Sequence, residues 1–362
     1  MKTPVFNKKR IILVVVLFAA VITAFFSNAH MRKLFSNSGA AELKFQTGVD
    51  YDIVTYGNDL LLINHEGITA LNRSGSEMWN IVFSMTTPMA DVEDDYIMVA
   101  DMNGRTVNLY EKDVLVSQIK TQKEIISAKV NKNGYIAVAT DELGYRGLIT
   151  VYDKTGNEIF KWHSGAGYIG DTDISDRNII AVSQLMTDRE KIYSRIVTLN
   201  VKSEEETVLA ETIDGVVMDV EYRDNGEIVA VSDTEVCGFK KSGALKFRTD
   251  FGSRKLSGYD IGDEHNMVFA FLSGLNTTIL ESYSAKGELR GSFEWHSKIE
   301  TFDVSGEYIL AASTGKVIRC NPKGELKFES EISHDVKKVG ILPGRNKFIA
   351  VGDGVAKIIG LR

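Results

Sequence analysis

Cysteine is nearly absent from this 362-residue chain, which has only Cys237 and Cys320. Each falls on the third strand of its repeat, two repeats apart. Such strands cannot approach to the ~4.4–6.8 Å Cα separation of a disulfide. Both are read as packed thiols, and so low a count leaves the redox compartment open. Catalytic signatures are lacking too. There is no phosphate-binding P-loop, no Gly-x-Ser-x-Gly elbow and no His-Glu-x-x-His pair. Asp101-Met102-Asn103-Gly104 begins like a calcium loop, but Lys112 stands where the closing acid belongs. No catalytic residue, metal ligand or cofactor is therefore assigned.

Basic charge is scarce where a nucleic acid would need it. Residues 1–41 hold six Lys and Arg and no acid, leaving 36 bases against 49 acids in the remainder. A fold this acidic is not built to contact DNA or RNA phosphates. It would also repel anionic envelope polymers unless one face were locally basic.

The N-terminus carries a location signal. Ile11 to Phe26 is sixteen residues without a charge, and the uncharged run reaches nineteen at Ala29. That is close to the ~20 residues with which a helix crosses a bilayer. Lys2, Lys8, Lys9 and Arg10 precede the run, and only Arg32 and Lys33 follow closely. The positive-inside bias keeps the N-terminus cytoplasmic and sends the rest across. The expected organisation is a basic tail (1–10), a single transmembrane helix acting as signal anchor (11–29), a linker (30–41) and an extracellular folded region (42–362). The alternative is a cleaved signal peptide with Ser27 and Ala29 before the cut, which also exports the folded region.

That region is a repeat. Glu42-Leu43-Lys44-Phe45 returns as Glu325-Leu326-Lys327-Phe328 and nearly so as Ala244-Leu245-Lys246-Phe247. Eight short apolar cores recur: Leu61-Leu62-Ile63, Ile97-Met98-Val99, Ile136-Ala137-Val138, Ile180-Ala181-Val182, Val229-Ala230-Val231, Val268-Phe269-Ala270, Ile309-Leu310-Ala311 and Ile349-Ala350-Val351. Their third residues lie 36, 39, 44, 49, 39, 41 and 40 apart, the period of a four-stranded propeller blade. Glycine-closed turns at Gly75, Gly156, Gly243, Gly287 and Gly324 mark the step from third to fourth strand. An aromatic follows four residues later in four of the five units (Trp79, Phe160, Phe247, Phe328), with Gly291 as the exception. The first tetrapeptide has no inner strands before it, and the last repeat, Val336 to Arg362, has no outer strand after it. The fold class expected is all-β: an eight-bladed β-propeller closed by its own N-terminal strand.

Val151-Tyr152-Asp153-Lys154-Thr155-Gly156-Asn157-Glu158-Ile159-Phe160 resembles the blade repeat of quinoprotein-like (PQQ-type) propellers. It is also similar to repeats of eight-bladed envelope propellers such as the outer-membrane assembly lipoprotein. With one N-terminal anchor, the whole resembles membrane-anchored propellers of Gram-positive bacteria. The adjacent Cys pair and calcium-ligand motif of quinone-dependent members are not found, so the resemblance implies no bound quinone. It bears on the fold and leaves activity open.

Two groups of residues stand out. The innermost strand carries Asp before Ile or Val in six repeats: Asp52, Asp91, Asp173, Asp219, Asp260 and Asp303. Lys129 and Gly340 take the corresponding positions in the other two. An axial ring of carboxylates follows, read as structural, each accepting backbone N–H bonds from its own turn or the next blade. The second group belongs to the top face, which carries the fourth-to-first and second-to-third connections. His163, His296 and His334 open such connections, the first two behind Trp162 and Trp295. Long connections in blades 3, 4 and 6 add Tyr145, Arg146, Arg189 and Tyr193. Arg, Tyr and Trp are typical of binding hot spots, and rigid scaffolds display function on loops. These residues are the expected partner surface, for unidentified envelope proteins. A propeller enzyme, or a sensor of a small ligand or ion, is the alternative use of that face.

Overall fold

A strand buried on both faces needs an apolar run rather than an alternating one, and the eight cores supply it. The computed structural model describes residues 41–44, 50–188, 191–203, 205–262, 266–333 and 335–361. They form eight antiparallel four-stranded sheets. Seven are built from consecutive strands: blade 1 (52–82), blade 2 (88–120), blade 3 (125–163), blade 4 (168–214), blade 5 (217–250), blade 6 (255–295) and blade 7 (299–331). In blade 8, Val336–Ile341, Lys347–Gly352 and Val355–Gly360 take Ala41–Lys44 as their fourth strand. The register runs from Ala41 opposite Ile358 to Lys44 opposite Val355. The N-terminal strand thus closes the ring, hiding a sheet edge that would otherwise be exposed. No helix among the described residues is long and apolar enough to cross a membrane. The expected Ile11–Ala29 span lies outside the described residues.

Packing explains the repeat. Each apolar cluster spans two neighbouring blades, as where Leu60, Leu62 and Leu71 of blade 1 meet Ile349 and Val351 of blade 8, with Leu43 packed against them. The core is therefore a ring of inter-blade layers, and no blade buries its faces alone. The half-buried Phe247 shows the fit: Cβ atoms added at Gly238 of its own blade or Gly287 of blade 6 would come within 2.1 and 2.3 Å of its ring. The missing aromatic of blade 6 has a steric cause. A Cβ on Gly291 would lie 2.4 Å from the Lys323 carbonyl carbon, so backbone of blade 7 fills the aromatic's place. Cys237 and Cys320 are buried in blades 5 and 7 and form no disulfide. Burial pushes the Cys320 thiol up to about 12.

Blade 4 departs most from the repeat. Its second and third strands, Ile179–Thr187 and Ile192–Asn200, are nine residues each. The long connection expected between Gln184 and Ser194 is mostly ladder, paired as far as Thr187 opposite Ile192. A β-hairpin, and not a loose loop, rises there from the top face.

Candidate functional site

The first strand of each blade is an edge strand, and N–H groups on its free side have no ladder partner. Carboxylates of the preceding blade take them. Asp91 accepts from Val130 N–H at 2.8 Å, Asp173 from Tyr222 at 2.6 Å, Asp260 from Val304 at 2.7 Å and Asp303 from Ile341 at 2.6 Å. Asp173 also accepts from its own neighbour Ile174 at 2.8 Å. Asp52 accepts from Ile53 at 3.0 Å and lies 3.3 Å from Lys338 Nζ of blade 8. Asp219 departs from the pattern, since its carboxyl meets the Tyr259 side chain and Asp171.

Sequence reasoning missed a second tier of acids. Asp171 accepts from Val220 N–H at 3.0 Å and from Ser127 Oγ at 2.6 Å. Glu93 and Glu221 follow Asp91 and Asp219 at a spacing of two, which returns a strand to the same face. The legible signal was the doubled motif in three blades: Asp91-Val92-Glu93, Asp171-Thr172-Asp173 and Asp219-Val220-Glu221. Lys129 of blade 3 stands among them, its Nζ 3.4 Å from Asp91. Asp91, with help from Asp173, Asp219 and Asp171, holds its ammonium well above the usual lysine range against the opposing effect of burial. Burial first, and neighbouring carboxylates second, raise Glu93 to about 7 and Glu221 to about 8. Burial likewise lifts Asp173 to about 7 although Lys129 pulls the other way. Asp219 and Asp260 are also raised, again chiefly by burial. Blades 2 to 5 thus line the axis with one cation and an excess of carboxyl groups near neutrality. Among the described residues, no group of three or more His, Cys, Asp or Glu is arranged to hold a metal ion.

On the bottom face a cavity of about 480 Å³ lies between blades 4 and 5. Glu93, Asp173 and Tyr222 line its axial side, and the 240–243 turn lines its outer side.

On the top face the expected partner residues divide. Tyr145 and His163 pack ring to ring, with centroids 4.4 Å apart. Arg146 covers the Tyr168 ring at 4.5 Å and donates to its hydroxyl. Backbone bonds tie the two segments, from Arg146 N–H to Ser164 O (2.8 Å) and Ile169 N–H to Arg146 O (3.1 Å). Beneath them is a buried relay: Arg195 donates to Gln184 (2.7 Å), Gln184 to Ser164 Oγ (2.5 Å) and Ser164 to Gly167 O (2.5 Å). The relay fixes the hairpin of blade 4 to the loops beside it. Leu143 is 86% exposed, Tyr145 50%, Tyr168 54% and Ile192 56%, a concentration of large apolar side chains on one sector. Trp162 instead turns to blade 4 and donates to Glu206 at 2.9 Å. Tyr193 sits in the hairpin opposite Met186. Trp295 stacks on Phe293 and donates to Ser313 at 3.3 Å, while the exposed His296 lies 3.7 Å from Glu294. These last two belong to blade 6, three blades from Tyr145. Arg189 and His334 lie outside the described residues.

A family model described as a family of unknown function (DUF5711) matches residues 32–361. The chain belongs to that family. No curated protein matches this DUF5711 member. Among solved structures it is similar to the computationally designed Ika8 protein (13% identity, TM-score 0.65, 88% of this chain and 97% of that one). It is also similar to BamB from Moraxella catarrhalis (13%, TM-score 0.58, 88% and 98%). The C-terminal WD40 domain of Sif2 matches as well (15%, TM-score 0.64, 89% and 98%). At these identities the likeness is one of fold.

Proposed function

We propose that this chain is a membrane-tethered, extracytoplasmic scaffold that binds an envelope protein through the top face of blades 3 and 4. One observation carries the reading: the exposed cluster of Leu143, Tyr145, Arg146, His163 and Tyr168, held in place by its own stacking and by the buried relay beneath. Preorganised aromatic and arginine side chains lose little freedom when a partner covers them. The uncharged segment behind Lys8-Lys9-Arg10 supports the tether. The fold shared with BamB suits such a role without requiring it.

The test is capture from crosslinked membranes with the full-length chain. Replacing Tyr145, Arg146 and Tyr168 together with Ala should abolish recovery of the copurifying envelope protein and lower the melting temperature by only a few degrees. Retained capture by the triple variant would refute the assignment. The tether is tested separately by N-terminal sequencing of the mature chain: a start at His30 would mean signal cleavage and no anchor.

A further inference from the structure

We propose that the bottom-face cavity between blades 4 and 5 binds an anionic polyol, a hydroxyl-rich chain bearing a carboxylate or phosphate. This goes beyond the reading above and concerns the opposite face. The cavity volume of about 480 Å³ falls within the ~300–1,000 Å³ usual for small-ligand sites.

Its charge runs against that of the molecule. The chain after residue 41 is strongly acidic, yet Arg177, Lys240 and Lys241 all border this one cavity. All three are exposed, and among the described residues none has an ion-pair partner. Of the acids lining it, Asp224 pairs with Lys132 Nζ at 2.8 Å, and Asp176, which accepts Lys132 N–H at 3.3 Å, keeps its charge. The two carboxyls on the axial side, Glu93 and Asp173, are raised to about 7, so neither opposes an incoming anion with a full charge at neutral pH. Arg223 also lines the cavity at 4% exposure, but its guanidinium is held by blade 6, donating to Ala285 O at 2.5 Å and lying 3.6 Å from Met267 Sδ. The exposed Arg177, Lys240 and Lys241 therefore carry the attraction for an anion.

The hydroxyl preference follows from the remaining wall. Thr198, Thr207 and Ser242 share the wall with Ile179 and Leu209, offering hydrogen-bonding groups and apolar patches for C–H faces. Protonated Glu93 can donate to a hydroxyl as well as accept from one.

The experiment is calorimetric titration of the detergent-solubilised full-length chain with four probes. These are trigalacturonate, a glycerol phosphate oligomer, neutral maltotriose and inorganic phosphate. At least one of the first two should bind tenfold or more tightly than maltotriose and inorganic phosphate, and the tighter identifies the source, sugar acid or polyol phosphate. Arg177→Ala/Lys240→Ala/Lys241→Ala should weaken that binding at least tenfold while top-face partner capture persists. Ser242→Trp, which obstructs the rim without changing charge, should weaken it too. Equal binding of maltotriose, binding no better than inorganic phosphate, or unchanged affinity in both variants would overturn the proposal.

Discussion

The top and bottom faces of the propeller are made from the same repeat and have become different surfaces. At the top of blades 3 and 4, connections lengthen, a hairpin projects, and aromatic side chains stand exposed in a stacked cluster. At the bottom of blades 4 and 5 the turns stay short, and the surface recedes into a charged cavity. The first suits a broad partner, the second a small polar ligand. Both lie where the repeat is broken: by loop growth in blades 3 and 4, and by doubled acids around Lys129 in blades 2 to 5. Regular blades hold the ring, and the irregular sector gives it distinct chemistry.

The largest effect should come from a change that ignores this difference. Deleting residues 41–44 removes the fourth strand of blade 8 and the packing of Leu43. Loss of several kcal/mol, at about 2–4 °C per kcal/mol, should lower the melting temperature by roughly 10 °C or more. Both faces should fail together. Calorimetry beside partner capture checks this, and an unchanged melt would mean that the strand closes nothing.

Next is the axis. Lys129→Met leaves Asp91, Asp171, Asp173 and Asp219 without their shared cation, and stranding buried charge typically costs about 3–5 kcal/mol. Denaturant unfolding should show a loss near the lower figure, because the lysine is partly exposed. Adding Asp91→Asn should restore part of it. If the single variant unfolds like the parent, the pair is not holding the inner strands.

A smaller effect distinguishes the acidic sector by pH. Glu93, Asp173 and Glu221 have folded-state values of about 7, 7 and 8, above the ~4 of an unfolded carboxyl. The folded state therefore binds more protons between those limits, so this contribution is full below about pH 4 and lost as pH rises through 7 to 8. The melting temperature should fall between pH 5.5 and 8.5, and Glu221→Gln should flatten the slope. A rise over that interval would contradict the assignment. The smallest effect belongs to the top face, where Ala at Tyr145, Arg146 and Tyr168 should alter stability by only about 0.5 kcal/mol per position.

Most of the architecture was legible in the sequence because it depends on local, repeated requirements. The second-strand cores had to be apolar on both faces, and the turn glycines had to adopt positive φ: Gly75, Gly156 and Gly243 lie at +86°, +86° and +82°. The sites were less legible because they depend on adjacency across blades. Tyr145 and Arg146 could be flagged by type and loop length, whereas Tyr168, which joins them, looked like any residue at a strand start. Trp162 carried a hot-spot identity, yet its indole is directed to Glu206 of the next blade. Arg177 is far in sequence from the adjacent Lys240 and Lys241, and they come together only when blade 5 packs on blade 4. The Asp-x-Glu and Asp-x-Asp pairs were visible, but only the packing of one inner strand against the next shows that both members of a pair face the axis.

The central claim, that a rigid cluster on one sector matters more than exposure alone, is tested most directly by photo-crosslinking on the full-length chain in membranes. A photoreactive residue is placed in turn at Leu143, at Ile192 and at Leu275. Leu275 is the most exposed of the three at 95% and shares the top face, but it belongs to blade 6. Adducts of one common size at Leu143 and Ile192, and none at Leu275, are the expected result. Equal labelling at all three, or labelling at Leu275 alone, would contradict the account.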